Sequence, residues 1–176
     1  MPLNFQPLSM MELRSAPGEV LDRVAQKGEA FIVERSGHQM ACLVPLSSFL
    51  PDIQPARLSR EFEQLHLQKE WHTTSINDDR ELEIHFREEG PEQIIRLTIR
   101  LPHGYPSASP KVYAHPVPED CPHRWKDGSL CIFGAMELWN PGQHDVSYVL
   151  RLARRWLSHF ADWRRIGEWV EENGND

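Results

Sequence analysis

Apolar and polar residues alternate along the middle of the chain with a period of two. Leu82, Ile84 and Phe86 interleave with Glu81, Glu83, His85 and Arg87, and after Glu88-Glu89-Gly90-Pro91-Glu92 the pattern resumes with Ile95, Leu97, Ile99 and Leu101 between Arg96, Thr98 and Arg100. Period-two alternation on either side of a Gly-Pro turn predicts an antiparallel meander with one buried and one wet face. A further strand is expected at Lys111 to His115 and a weaker one near Thr73 to Ile76. The pattern flanking the meander is helical. Leu58, Phe62 and Leu65 recur at i, i+4 and i+7 with Arg60, Glu61 and Glu63 expected outside. Downstream, Val146, Val149, Leu150, Ala153, Trp156, Leu157 and Phe160 form one stripe opposite Arg151, Arg154 and Arg155, with Asp145 as N-cap. A last short helix is expected at Arg164 to Val170, carrying Ile166 and Trp169.

Residues 1–50 read as a separate block. Ser9-Met10-Met11-Glu12 has capping-box spacing, and Pro17 suits the first turn of a second helix reaching Gln26, with Val20, Leu21 and Val24 on its apolar face. Two strand-like runs, Ala30 to Arg35 and Met40 to Val44, flank the hairpin signal Ser36-Gly37-His38. Pro51-Asp52-Ile53-Gln54-Pro55 reads as a linker, so the expected division is residues 1–50, a linker at 51–56 and a second domain at 57–176.

Composition narrows the function. A 40% hydrophobic content with six Trp and seven Phe supports a packed core and excludes general disorder. The formal net charge of −7 argues against a protein built to grip phosphate backbones. Three cysteines, an odd number, and no signal-peptide pattern lead us to expect free thiols in a cytoplasmic location. No run approaches the ~18 apolar residues of a membrane span. Internal repeats, phosphate-cradling glycine loops and paired carboxylates are not found.

The chemistry concentrates between Glu119 and Pro141. The Asp127-Gly128 turn delivers Cys131 into an apolar run whose members Leu130, Ile132 and Phe133 are expected to anchor in the core while the thiol meets solvent. Cys121-Pro122-His123 begins ten residues upstream of Cys131, and Trp139-Asn140-Pro141 begins eight residues downstream. These motifs, with Ile95–Pro102 and the Tyr105-Pro106 to Val112 block, resemble the catalytic core of ubiquitin-conjugating enzymes over roughly Arg57 to Trp169. His123 stands where that family usually has Asn, and Cys121 where it has His, a departure closer to the divergent prokaryotic members.

The resemblance implies an α+β fold of helix, four-stranded antiparallel meander and C-terminal helices. It also implies a transferase that carries a ubiquitin-like modifier as a thioester on Cys131, receives it from an activating enzyme and passes it to an amine. His123 would donate to the oxyanion or assist proton transfer, Asn140 would orient the loop, Trp139 would brace it, and Asp162 would act as an acidic gate for an incoming lysine. No cofactor and no metal are implied. Against these stand a buried structural thiol for Cys131, a bracing role for His123, and a zinc site of Cys121, His123 and Cys131 with His103 or His115. The zinc reading lacks the paired spacing such sites use, and the motif of zinc deaminases is absent.

The stretches ELRSAPGEVLDRV and FIVERSGHQMACLVPLSSF are similar to the N-terminal part of Phd/YefM-type antitoxins. That resemblance implies a small α/β module that forms a homodimer and contacts operator DNA near Arg14. Residues 1–50 hold four Arg/Lys against five Asp/Glu, a weak electrostatic footprint for DNA. The competing function is therefore a non-enzymatic scaffold or antitoxin-like DNA-binding autoregulator whose second domain only recruits a partner.

Overall fold

The computed structural model describes residues 4–48, 50, 53–133 and 138–169. The chain divides into two compact units, Met1–Pro55 and Ala56–Asp176.

In the first unit, strand β1 (Phe5–Ser9) leads into helix α1 (Met10–Ser15) and helix α2 (Pro17–Lys27), followed by strands β2 (Ala30–Arg35) and β3 (His38–Leu43). Ser9 and Glu12 form a reciprocal capping box: the Glu12 N–H donates to Ser9 Oγ at 3.1 Å, and the Ser9 N–H donates to Glu12 Oε2 at 3.0 Å. The sheet order is β1-β2-β3, with β1 parallel and β3 antiparallel to β2. Strand β1 escapes sequence reading because Pro7 interrupts it and only Leu8 is buried, a pattern that an edge strand tolerates. Ser36 and Gly37 both take positive φ, 52° and 79°, as a tight hairpin requires, and β3 starts at His38 rather than Met40. Leu8, Val20, Val24, Phe31 and Val33 make the core. Leu21, expected on the buried face of α2, is 54% exposed, because it lies about 100° round the helix from Val20.

In the second unit, helix α3 (Pro55–Leu67) precedes the meander β4 (Thr73–Ile76), β5 (Leu82–Glu89), β6 (Ile94–Leu101) and β7 (Lys111–His115), and helix α4 (Val146–Ile166) closes the chain's described part. The four strands pair antiparallel in chain order. Leu82, Ile84, Phe86, Leu97, Ile99 and Val112 turn to one face, and α4 packs on β6 with Val149, Leu150, Ala153, Trp156 and Phe160 buried. Helix α3 begins at Pro55, inside the expected linker, since proline is well suited to a first helical position.

Two further expectations need correction. The separate helix from Arg164 does not form: α4 runs unbroken to Ile166 and stops where Gly167 takes φ 79° and donates its N–H to Trp163 O at 2.8 Å. No glycine or proline interrupts the pattern before that point, and Val170 lies outside the described residues. Glu61, placed on the wet face of α3, is fully buried. Its Oε2 accepts the Val146 N–H at 2.6 Å, its Oε1 accepts the Tyr105 hydroxyl at 2.5 Å, and Arg57 lies beside it as an ion pair. The carboxylate thus satisfies an orphan N–H at the start of α4, where the helix end also favours negative charge. Arg57 Nε sits 2.5 Å from Glu61 Oε1 without an aligned N–H, so this contact is electrostatic rather than a hydrogen bond.

Candidate active site

After β7 the chain folds back through a loop tied to the sheet at several points. Asp127 shapes its tip: Oδ1 accepts both the Ser129 N–H at 3.0 Å and the Ser129 hydroxyl at 2.6 Å, while Oδ2 pairs with Lys111 at 2.8 Å. The Lys111 contact and then the Ser129 donors hold the Asp127 carboxyl well below the usual carboxylate range. Gly128 supplies φ 82°, which lets its N–H return to Trp125 O at 2.9 Å. Arg124 pairs with Leu130 in a short bridge and donates to Pro118 O at 3.0 Å. The Leu130 N–H reaches Val112 O at 2.7 Å, which fixes the loop to β7.

Cys131 follows directly. Leu130 and Ile132 are buried on either side, and Cys131 itself is half-buried. Its N–H donates to His123 O at 2.8 Å, and its thiol lies 3.9 Å from Phe133 O. The same His123 carbonyl accepts Trp156 Nε1–H from α4 at 3.0 Å. One carbonyl therefore couples the cysteine segment to the long helix. His123 adopts φ 56°, unusual for a side chain with a Cβ, and Trp169 stacks on its imidazole at 4.7 Å between centroids. Trp169 leans in turn on Trp156 at 5.2 Å.

The structure ties Cys131 to His123 through the backbone, and the other expected site residues each make a contact of their own. Asn140 Oδ1 accepts the Gly142 N–H at 3.0 Å, closing its own turn. Asp162 pairs with Arg165 at 2.6 Å near the end of α4. Trp139 Nε1–H donates to Pro106 O at 2.6 Å and its ring lies near Tyr105 and Phe133, a bracing position. Trp156 and Trp169 were not foreseen beside His123. Nothing local in the sequence marks them, since both reach it from the far end of the chain.

The three thiols differ in setting. Cys121 is buried, and loss of water pushes its thiol up to about 11, so it stays protonated. Cys42 is exposed on β3 of the first unit. Among the described residues no group of three or more His, Cys, Asp or Glu side chains could hold a metal ion, which leaves the zinc reading without a site. A groove of about 720 Å³ runs beside the cysteine segment, lined by Pro110, Trp125, Leu130, Ile132 and Phe133 with the Lys111–Asp127 pair at its rim. Among the described residues no helix is long and apolar enough to cross a membrane.

A family model described as Type II CBASS E2 protein matches residues 48–176. The chain belongs to the Type II CBASS E2 family. The match covers the meander, the cysteine loop and α4, so the Type II CBASS E2 core is the part of the chain that holds Cys131 and His123. Residues 1–47 fall outside it. No curated protein matches the chain.

Proposed function

We propose that this protein is a conjugating-enzyme-type transferase that carries a ubiquitin-like modifier as a thioester on Cys131. The observation that carries the reading is a half-buried Cys131 held between two buried anchors, Leu130 and Ile132, with its backbone tied to His123. A cysteine so placed is anchored by its backbone while part of the residue meets solvent.

In the loading step the Cys131 thiolate attacks the carbonyl carbon of the modifier's C-terminal thioester on its activating enzyme. A new S–C bond forms, the old one breaks, and the activating enzyme's thiolate leaves. In the transfer step an acceptor amine attacks the Cys131 thioester, the N–C bond forms, the S–C bond breaks, and the amine proton passes to a base. Both steps run through an oxyanion. The His123 imidazole N–H is our candidate donor to it, and removal of one such donor in other enzymes costs about two to three orders of magnitude in rate. In this reading Asn140 orients the loop through the turn it closes with Gly142, and Asp162, beside Arg165, is the acidic gate for the incoming lysine. The N-terminal unit enters as a dimerisation module, as its Phd/YefM resemblance implies, and sedimentation of the full chain checks that role.

The test supplies modifier, activating enzyme and ATP and follows adducts on non-reducing gels. Wild type forms an adduct cleaved by reductant; Cys131→Ser forms a reductant-resistant ester or none; Cys121→Ser and Cys42→Ser keep the wild-type adduct. An adduct that survives Cys131→Ala overturns the proposal.

A further inference from the structure

The outward face of the meander is nearly self-neutralised. Arg100 meets Glu83 at 2.8 Å and lies over the Tyr113 ring at 4.6 Å, while His85 is held between Ser75 and Thr98 at 2.8 and 3.0 Å. One row breaks the pattern. The strand registers set Arg87 opposite Arg96, and Arg96 opposite His115, so two guanidiniums and an imidazole stand in file across β5, β6 and β7. All three are exposed, and the side chain of none has a hydrogen bond, ion pair or ring contact with another described residue. Side chains directly opposite one another have Cβ atoms about 4.5–5.5 Å apart, and like charges at that spacing oppose sheet formation. The chain carries 26 acidic residues against 19 Lys and Arg, yet Glu89 in the next row stands opposite Ile94 rather than an arginine. The row works against the fold that bears it.

We propose that Arg87, Arg96 and His115 form the centre of a docking surface for an acidic segment of a partner protein. Ile94, 49% exposed, lies on one side of the row and Tyr113 on the other. Arginine and tyrosine are enriched at protein interfaces, and the exposed Ile94 adds apolar surface beside them. Nucleic acid fits worse. Three groups fall short of the ~6–10 phosphate contacts of a typical nucleic-acid footprint, and the net charge of −7 repels a polyanion. Carboxylates of the partner pair with the two guanidiniums in the forked geometry that arginine favours, and an apolar neighbour covers Ile94. The proposal is independent of what Cys131 carries.

The probe is a short synthetic peptide of alternating glutamate and valine, with a lysine-valine peptide as control, followed by fluorescence anisotropy and by backbone amide shifts in the full chain. The acidic peptide binds, shifts amides of β5, β6 and β7, and weakens as salt rises. The Arg87→Ser/Arg96→Ser double variant loses about tenfold or more in affinity, the loss expected when two charge-assisted contacts go. Its melting temperature does not fall, because the like-charge row is gone. Ile94→Ser weakens binding too, and Arg60→Ser on α3 does not. The proposal is overturned if the acidic peptide fails to bind, if the double variant binds it undiminished, or if a single-stranded DNA oligonucleotide displaces it from this face with higher affinity.

Discussion

Glu61 shows how much can depend on a single buried carboxylate. Replacing it with Ala takes away the counter-charge of the Arg57 guanidinium and the acceptor of the Tyr105 hydroxyl and the Val146 N–H. Removing one partner of a buried pair typically costs about 3–5 kcal/mol, and we expect Glu61→Ala to lose that much in urea unfolding. Burial and then the Glu61 contact already push the Tyr105 hydroxyl upward, so this phenol stays protonated and keeps donating. Asp127 is the opposite case, an exposed acid with strong partners. Its carboxyl is depressed in the folded chain, so the stabilisation it gives is complete above the ordinary range near pH ~3.9 and drains away as pH falls through its lowered pKa. Melting temperatures of wild type and Asp127→Asn should differ at neutral pH and converge in strong acid, and added salt should shrink the gap.

At the scale of elements, caps and turns govern. Asp145 accepts the Tyr148 N–H at 2.9 Å and opens α4, so Asp145→Ala should destabilise by about 1 kcal/mol in denaturant titrations. A Cβ on Gly90 would meet the backbone oxygen of Gln93 at 2.6 Å and the Ile95 side chain at the same distance. Backbone cannot yield as a side-chain tip does, and Gly90→Ala should cost about 1–3 kcal/mol by the same measurement. These elements also show what was readable in advance. The meander announced itself because Leu82 to Phe86 and Ile95 to Leu101 alternate without a fault, and the burial of Leu130 and Ile132 beside Cys131 followed from an Asp-Gly turn feeding an apolar run, whereas Phe133, expected in the core, is only half-buried. Glu61 could not be read, because its partner Val146 lies 85 positions away and helix periodicity assigns any charged residue to water. The Trp169 stack on His123 was hidden for the same reason, and β1 lacked the hydrophobic count that betrays a strand.

The molecule as a whole is two units, each with its own core: Leu8, Val24 and Phe31 in the first, Ile84, Leu97 and Val149 in the second. Separate cores predict that calorimetry resolves more than one transition, and that Val33→Ala lowers one of them by about 1–3 kcal/mol of stability while leaving the other in place. A single transition that moves as a whole would contradict this. The Gly167 turn has a practical consequence for anyone handling the protein. It ends α4 two residues before Trp169, the ring that stacks on the imidazole next to the cysteine loop. A cleavage site or reporter placed between Gly167 and Trp169 therefore separates that ring from the helix that holds it against His123, whereas a boundary chosen after Trp169 keeps the stack.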